Sequence, residues 1–150
     1  MHWIFGYGSL IWRPDFKYQI CRPAVLRNYV RRFWQGSPDH RGVPDSPGRV
    51  VTLAPQIGAQ CPGVIFGIDP EQVAKTIAYL DVRESGGYVR TIQHLHCPDE
   101  SVLEATVYVG LPENPSYLGP APIIEMAQQI AHSVGPSGNN LDYLLNLRQA

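Results

Sequence analysis

The feature that most constrains the fold is the order in which hydrophobic periodicities follow one another along the chain. Strand-like segments come first, one helix interrupts them, two more strands follow, and two helices close the sequence. Nowhere does strand alternate with helix and strand again, as a doubly wound parallel sheet requires. The pattern therefore predicts an α+β protein: six strands and three helices, arranged as a small curved sheet or barrel flanked by helices. With 150 residues, 44% of them hydrophobic and 17% charged, the expectation is one domain over residues 1–150 with its own core.

Individual segments carry this order. His2 to Tyr7 is a short apolar strand, and Ala24 to Gln35 is a longer one rich in Val, Tyr, Phe and Trp. Alternation along the second strand would put Arg27, Tyr29, Arg31 and Phe33 on one face. Gly36 to Gly48 is crowded with Gly and Pro and reads as a long loop. Arg49–Leu53 and Gly63–Ile68 read as two short strands bounded by Gly and Pro. Asp69-Pro70 supplies an N-cap followed by Pro at the first helical position. With Val73, Ile77 and Leu80 at helical spacing, Glu71 to Asp81 is predicted helical. Tyr88–Cys97 and Val102–Leu111 alternate as an antiparallel pair. Pro122–Val134 and Leu141–Leu147 are the closing helices, separated by a turn and cap at Gly135 to Asn140.

Charge and cysteine content remove several function classes. A net charge of −1 and a pI near 6.5 offer no general attraction to nucleic acid. Between Phe16 and Pro38 there is no acidic residue, while Lys17, Arg22, Arg27, Arg31 and Arg32 fall there. Arg suits bidentate binding of a carboxylate or phosphate, so a small anion fits this stretch better than a polymer does, and a merely solvated basic face fits it equally well. No apolar run is long enough to span a membrane and no signal peptide is evident, so a cytoplasmic protein is expected. Cys21, Cys61 and Cys97 form no C-x-x-C pair and predict free thiols. His94 and His96 share a strand face from which Cys97 points away, so no metal site is assigned there.

Two motifs can carry chemistry. Gly6-Tyr7-Gly8-Ser9-Leu10-Ile11 ends the first strand in a Gly-x-Gly turn. Glycine permits positive φ and close approach to the main chain, so such a turn can present a row of N–H donors to a carboxylate or an oxyanion. Ser9 lacks the G-x-S-x-G frame of a hydrolase nucleophile. Asp39 and His40 are sequence neighbours in a loop and make a poor base and orienter for it. The second motif is Arg83-Glu84-Ser85-Gly86-Gly87-Tyr88, where a helix hands over to a strand. Glu84 lies at the helix C-terminus, the end disfavoured for an anion. A carboxylate so placed either pairs with Arg83 or Arg90, or has the raised pKa that suits a general base.

The two motifs, extended to Trp12, resemble the ChaC-type, glutathione-specific γ-glutamylcyclotransferases. Other segments share the likeness: Arg32 to Ser37, Asp39 to Gly42, Pro47 to Leu53, Tyr117 to Pro122 and Gly135 to Asn139. The short Arg-Glu-x-Gly-Gly-Tyr form is more similar to the family's second, constitutive branch. The resemblance implies a small mixed, mostly antiparallel β-barrel flanked by helices. It also implies cleavage of glutathione to 5-oxoproline and cysteinylglycine without cofactor or metal. Glu84 matches the family's catalytic glutamate, and Gly6, Tyr7, Gly8, Ser9, Leu10 and Ile11 would bind the substrate's γ-glutamyl end. The Arg-rich strand is then a candidate for the glycine carboxylate, and Tyr117 and Tyr143 for orienting hydroxyls. Glutathione is the expected partner, with no nucleic acid, membrane or obligate protein partner.

Three other readings compete. The same chemistry could act on γ-glutamyl amino acids or γ-glutamylamines; the fold could bind γ-glutamyl peptides without turnover. Arg27, Arg31, Phe33 and Trp34 could serve as a stacking strand for single-stranded nucleic acid.

Overall fold

In a computed structural model that describes residues 1–150, the expected α+β architecture is present as a closed five-stranded barrel with three α-helices. The barrel strands are β1 (His2–Gly6), β2 (Ile20–Ser37), β3 (Gly48–Ile68), β4 (Tyr88–His96) and β5 (Val102–Gly110). Around the barrel they run β1-β3-β2-β4-β5. Every neighbouring pair is antiparallel except the closing β5–β1 seam, which is parallel at Ile4 and Thr106. Helix α1 (Val73–Arg83) joins β3 to β4. Helices α2 (Ile123–His132) and α3 (Asn140–Gln149) follow β5, separated by a two-residue ribbon, β6 (Val134–Gly135) and β7 (Gly138–Asn139). No helix is long and apolar enough to cross a membrane.

Alternation along the strands places the core. Phe5 and Tyr7, Ala24 and Leu26, Val51 and Leu53, Leu95 and Cys97, and Ala105, Val107 and Val109 point into one cluster. Their neighbours Ile4, Phe66, Ile68 and Tyr108 point the other way, into a second cluster completed by Leu80 of α1. The barrel wall at β1, β3 and β5 is thus buried on both faces, which explains why β1 reads as a continuous apolar run. Burying a side chain such as Phe5 or Ile65 contributes about 1.5–3 kcal/mol.

The structure corrects several element boundaries. Arg49–Leu53 and Gly63–Ile68 are two ends of one 21-residue strand, β3. Pro55, Gly58 and Pro62 look like breaks in sequence, yet Pro55 and Pro62 keep their places opposite Tyr29 and Val25. The irregularity is taken up in a bulge. Residues 56–59 stand opposite Asn28 alone, Gly58 (φ +84°) donates its N–H to Asn28 Oδ1 at 2.9 Å, and Asn28 itself has φ +66°. That bulge breaks the expected common face of Arg27, Tyr29, Arg31 and Phe33. Arg27 is exposed, whereas Tyr29 and Phe33 pack on the core. The helix after Asp69 opens as a 3-10 turn, Pro70–Gln72, with the Asp69 carboxylate accepting the Glu71 N–H, and runs on to Arg83. The closing helices are Ile123–His132 and Asn140–Gln149, the second capped by the Asn139 side chain.

Candidate active site

Because α1 lies across the outer wall over β1 and β3, its C-terminus reaches the rim where β1 ends, and Glu84 caps it there. The Glu84 backbone N–H donates to Leu80 O at 2.8 Å, and Tyr88 N–H donates back to Glu84 O at 3.2 Å, closing the turn. Gly87 completes that turn with φ +118°, and a Cβ there would meet Asn114 Oδ1 at 2.3 Å, so only glycine fits. The turn is held from behind by Gln35, which is fully buried. Its amide donates to Gly86 O at 3.1 Å and pairs reciprocally with the Asn114 amide at 3.0 Å in each direction.

Glu84 and the Gly-x-Gly turn meet in one cleft at this rim. Its outer part encloses about 720 Å³ of non-protein space, solvent at the mouth included, a size suited to a small ligand. The outer part is lined by residues such as Trp12, Arg13, Asp39, His40, Arg41 and Ser137; Phe5, Tyr7, Gly8, Leu10 and Tyr108 line the inner part. Ser9, Glu84, Tyr88 and Tyr143 belong to both.

The Gly-x-Gly turn presents its N–H groups differently from the expectation. Neither Gly6 nor Gly8 uses positive φ. What both need is closeness: a Cβ on Gly6 would stand 2.9 Å from Leu10 Cβ, and one on Gly8 would stand 2.9 Å from Val51 and 3.1 Å from the Tyr143 hydroxyl. The N–H groups of Gly8, Ser9 and Leu10 donate to nothing within the chain, whereas that of Ile11 is taken by Gly8 O at 2.9 Å. The N–H groups of Gly8, Ser9 and Leu10 are thus unspent in the turn, and that of Ile11 instead closes it. Ser9 Oγ accepts from Arg83 Nη2 at 2.9 Å and has no histidine partner.

The Glu84 side chain is 16% exposed and accepts no hydrogen bond; the nearest cation is Arg83 Nε at 3.8 Å. Arg90, the other candidate partner, pairs with Asp81 instead. Burial pushes the Glu84 carboxyl above its ordinary range, the Arg83 charge partly offsets this, and nearby Asp39 pushes it further up. Three phenols surround it. Tyr7 and Tyr88 hydroxyls donate to the Tyr108 and Val51 carbonyls at 2.6 and 2.7 Å. Tyr143 accepts the Val51 N–H at 3.2 Å and keeps its own proton for an acceptor in the cleft. Burial raises all three pKa values, so the phenols stay neutral.

Of the other expected groups, Tyr143 lines the cleft and Tyr117 does not; it bridges to Gln35 at the strand end. From the Arg-rich strand, Arg31 donates to the Tyr7 and Pro62 carbonyls rather than into the cleft. The cleft's cations are Arg13, Arg41 and Arg83. Asp39 and His40, weighed in the sequence only as a poor base and orienter for Ser9, line the cleft together with Arg41, all three from the long loop the sequence predicts. The loop is tied down: Arg41 N–H donates to Ser37 Oγ at 2.8 Å, and Ser137 N–H to His40 O at 2.9 Å. The loop's length and the Asp39 to Gly42 segment shared with the family are the sequence signals that mark them.

A family model described as ChaC-like protein matches residues 2–150. The human protein named glutathione-specific gamma-glutamylcyclotransferase 1 is 50% identical over 150 residues, which cover 97% of this chain and 67% of the human one. The Saccharomyces cerevisiae glutathione-specific gamma-glutamylcyclotransferase is 34% identical, covering 99% of this chain and 84% of its own. A crystal structure of the yeast cyclotransferase specific to glutathione superposes with a TM-score of 0.95 at 33% identity, covering 99% of this chain and 85% of that one. A further gamma-glutamyl cyclotransferase structure, at 17% identity and a TM-score of 0.57, shares the fold alone. A family match from residue 2 to residue 150, with a relative sharing half of the aligned residues, shows that the chain belongs to the ChaC-like family.

Proposed function

We propose that this protein is a glutathione-specific γ-glutamylcyclotransferase, a cofactor-free lyase with Glu84 as its general base and acid. The observation that carries this reading is the Glu84 carboxylate, half-buried and free of hydrogen bonds, in one cleft with the unspent N–H groups of Gly8, Ser9 and Leu10. The names of the similar human and yeast proteins supply the substrate.

The reaction follows from these groups. Glu84 takes a proton from the substrate's α-ammonium, and the freed amine attacks the γ-carbonyl carbon of its own residue. A five-membered ring closes with an oxyanion on the former carbonyl. As the carbon–nitrogen bond to cysteine breaks, Glu84 returns the proton to the departing nitrogen. The second proton shed by the ring nitrogen leaves by the same carboxylate, so the products are 5-oxoproline and the cysteinylglycine ammonium form. Attack within one folded substrate can replace about 7–11 kcal/mol of entropic barrier. Gly6, Tyr7, Gly8, Ser9 and Leu10 form the cradle of the γ-glutamyl end, with Ile11 closing it, and the unspent N–H groups of Gly8, Ser9 and Leu10 receive its negatively charged oxygen. A carboxylate whose pKa is raised towards neutrality can both accept and return a proton.

Purified protein incubated with glutathione should release 5-oxoproline, and Glu84→Gln should lose about 10²–10⁴-fold in rate while keeping its circular dichroism. An unchanged rate in that variant would remove Glu84 as the base. Faster turnover of γ-glutamyl-alanine than of glutathione would move the substrate assignment.

A further inference from the structure

Arg41 is the anomaly of the cleft. It is only 8% exposed, and a charge so deeply placed is ordinarily paired. Arg13 has Asp15 at 3.0 Å, and Arg83 has Asp15 and Glu84 each at 3.8 Å, but Arg41 has no carboxylate within 4.0 Å. Its guanidinium is held without being neutralised. Nη1 donates to Asn139 O at 3.1 Å, the planar group lies 5.7 Å from the Tyr143 ring centroid, and Gly138 (φ +115°) leaves room for Nη1 3.2 Å from where a Cβ would stand. The other guanidinium N–H groups have no acceptor in the protein. Since no buried side-chain nitrogen or oxygen in the molecule lacks a partner, those groups are reached by solvent, and Arg41 lines the cleft.

We propose that Arg41 is the subsite for the C-terminal carboxylate of the peptide whose γ-glutamyl end lies at Glu84. The assignment rests on the γ-glutamyl reading above and extends it to the far end of the substrate. Gly8 and Leu10 line the inner part of the cleft, and Ser9 and Glu84 belong to both parts. Arg41 lines only the outer part, and Tyr143 spans the two. A γ-glutamyl tripeptide carries negative charge at both ends, and the cleft carries unspent donors at both. A planar fork with free N–H groups grips a carboxylate bidentately, and one in a half-dry wall does so more strongly than in water. Asp39 also faces the outer part, with His40 Nε2 3.8 Å from it, and Asp142 acts on Arg41 from α3 without forming an ion pair. Burial and the neighbouring Arg13 charge both disfavour the Arg41 cation as it stands, and the charge of a bound anion offsets both.

The test compares glutathione with its glycine monoester, which masks this carboxylate and leaves the γ-glutamyl end intact. The wild-type protein should favour free glutathione by about 10–100-fold in kcat/KM, the worth of a charge-assisted hydrogen bond or two. In Arg41→Gln that preference should fall towards one, mainly through a higher KM for glutathione, and Arg41→Lys should recover part of it. A wild-type protein that turns over both substrates equally overturns the subsite, and so does a preference that persists in the glutamine variant. Absence of 5-oxoproline from either substrate with wild-type protein is a different failure, that of the γ-glutamyl reading itself. Should the glutamine variant not fold, the wild-type and lysine preferences still decide.

Discussion

Glu84 sits where a helix least welcomes negative charge and where little solvent reaches it, without a single hydrogen bond in return. Its folded pKa is therefore raised, with burial the largest cause. The folded state then holds this proton to higher pH than the unfolded chain does. Over the window between the ordinary glutamate range and the raised value, the folded protein binds more protons, so stability falls as pH rises through it. A glutamine has no proton to lose. Thermal melts of Glu84→Gln should thus match the wild-type protein at low pH and run at or above it near pH 7, opposite in direction to the effect on activity. A glutamine variant markedly less stable near neutrality would contradict the proposed strain. Arg83 makes the same region cohere, donating to the Arg13 carbonyl at 2.7 Å and to Ser9 Oγ at 2.9 Å, which ties the Gly-x-Gly turn to the residue beside Glu84.

At the scale of elements, the turn from α1 into β4 is positioned by parts of the chain far from it. Gln35 is fully buried near the end of its long strand, so its amide is committed to Gly86 O and Asn114. Gln35→Leu keeps the volume but leaves the half-buried Gly86 carbonyl without its donor and takes one partner from the Asn114 amide, which keeps Leu111 O and Ser116 N–H. About 1–3 kcal/mol of stability should be lost for an unsatisfied partner, visible as a lower urea midpoint. The rate should fall beyond what the unfolded fraction explains, because the Glu84 turn loses its backing. Normal kcat in the folded fraction would mean that the amide pair is only structural. The long β2–β3 ladder serves the same rim from the other side, since Val51 and Val50 of β3 reach the cleft while its far end pairs with β1.

Closure of the barrel governs the whole molecule, and one of its two narrow seams is β2 against β4, with only Val25–His96 and Leu26–Leu95 in register. Leu95 is wholly buried there. Truncation to alanine leaves a cavity at a place with few hydrogen bonds to compensate, and should cost about 2–5 kcal/mol in denaturant unfolding. Since Leu95 does not line the cleft, KM of the folded protein should be unaffected. A loss below about 1 kcal/mol would show that the seam repacks freely. The β5–β1 seam is the counterpart on the other side, where one parallel contact brings Thr106 beside Ile4 and so brings both ends of the chain's strand set together.

Local rules in the sequence settled the element types and the turn chemistry. The Asp69-Pro70 cap, the β4–β5 hairpin and the Asn139 cap all depend on neighbours within a few residues, and each is where the pattern put it. The motifs around Gly8 and Glu84 were legible too, as residue types suited to N–H donation and proton transfer. Three things needed the folded chain. A strand interrupted by Pro55, Gly58 and Pro62 became continuous because its partner β2 fixes the register across the bulge. Gly6 and Gly8 turned out to be required by packing against Leu10, Val51 and Tyr143, contacts that lie up to 135 residues away in the chain and that no backbone propensity encodes. Finally, Arg41 entered the cleft while the basic strand stayed out of it. Sequence specifies which side chains carry charge; which of those charges lacks a partner is a property of distances, and distances between residues remote in the chain exist only once the barrel has closed.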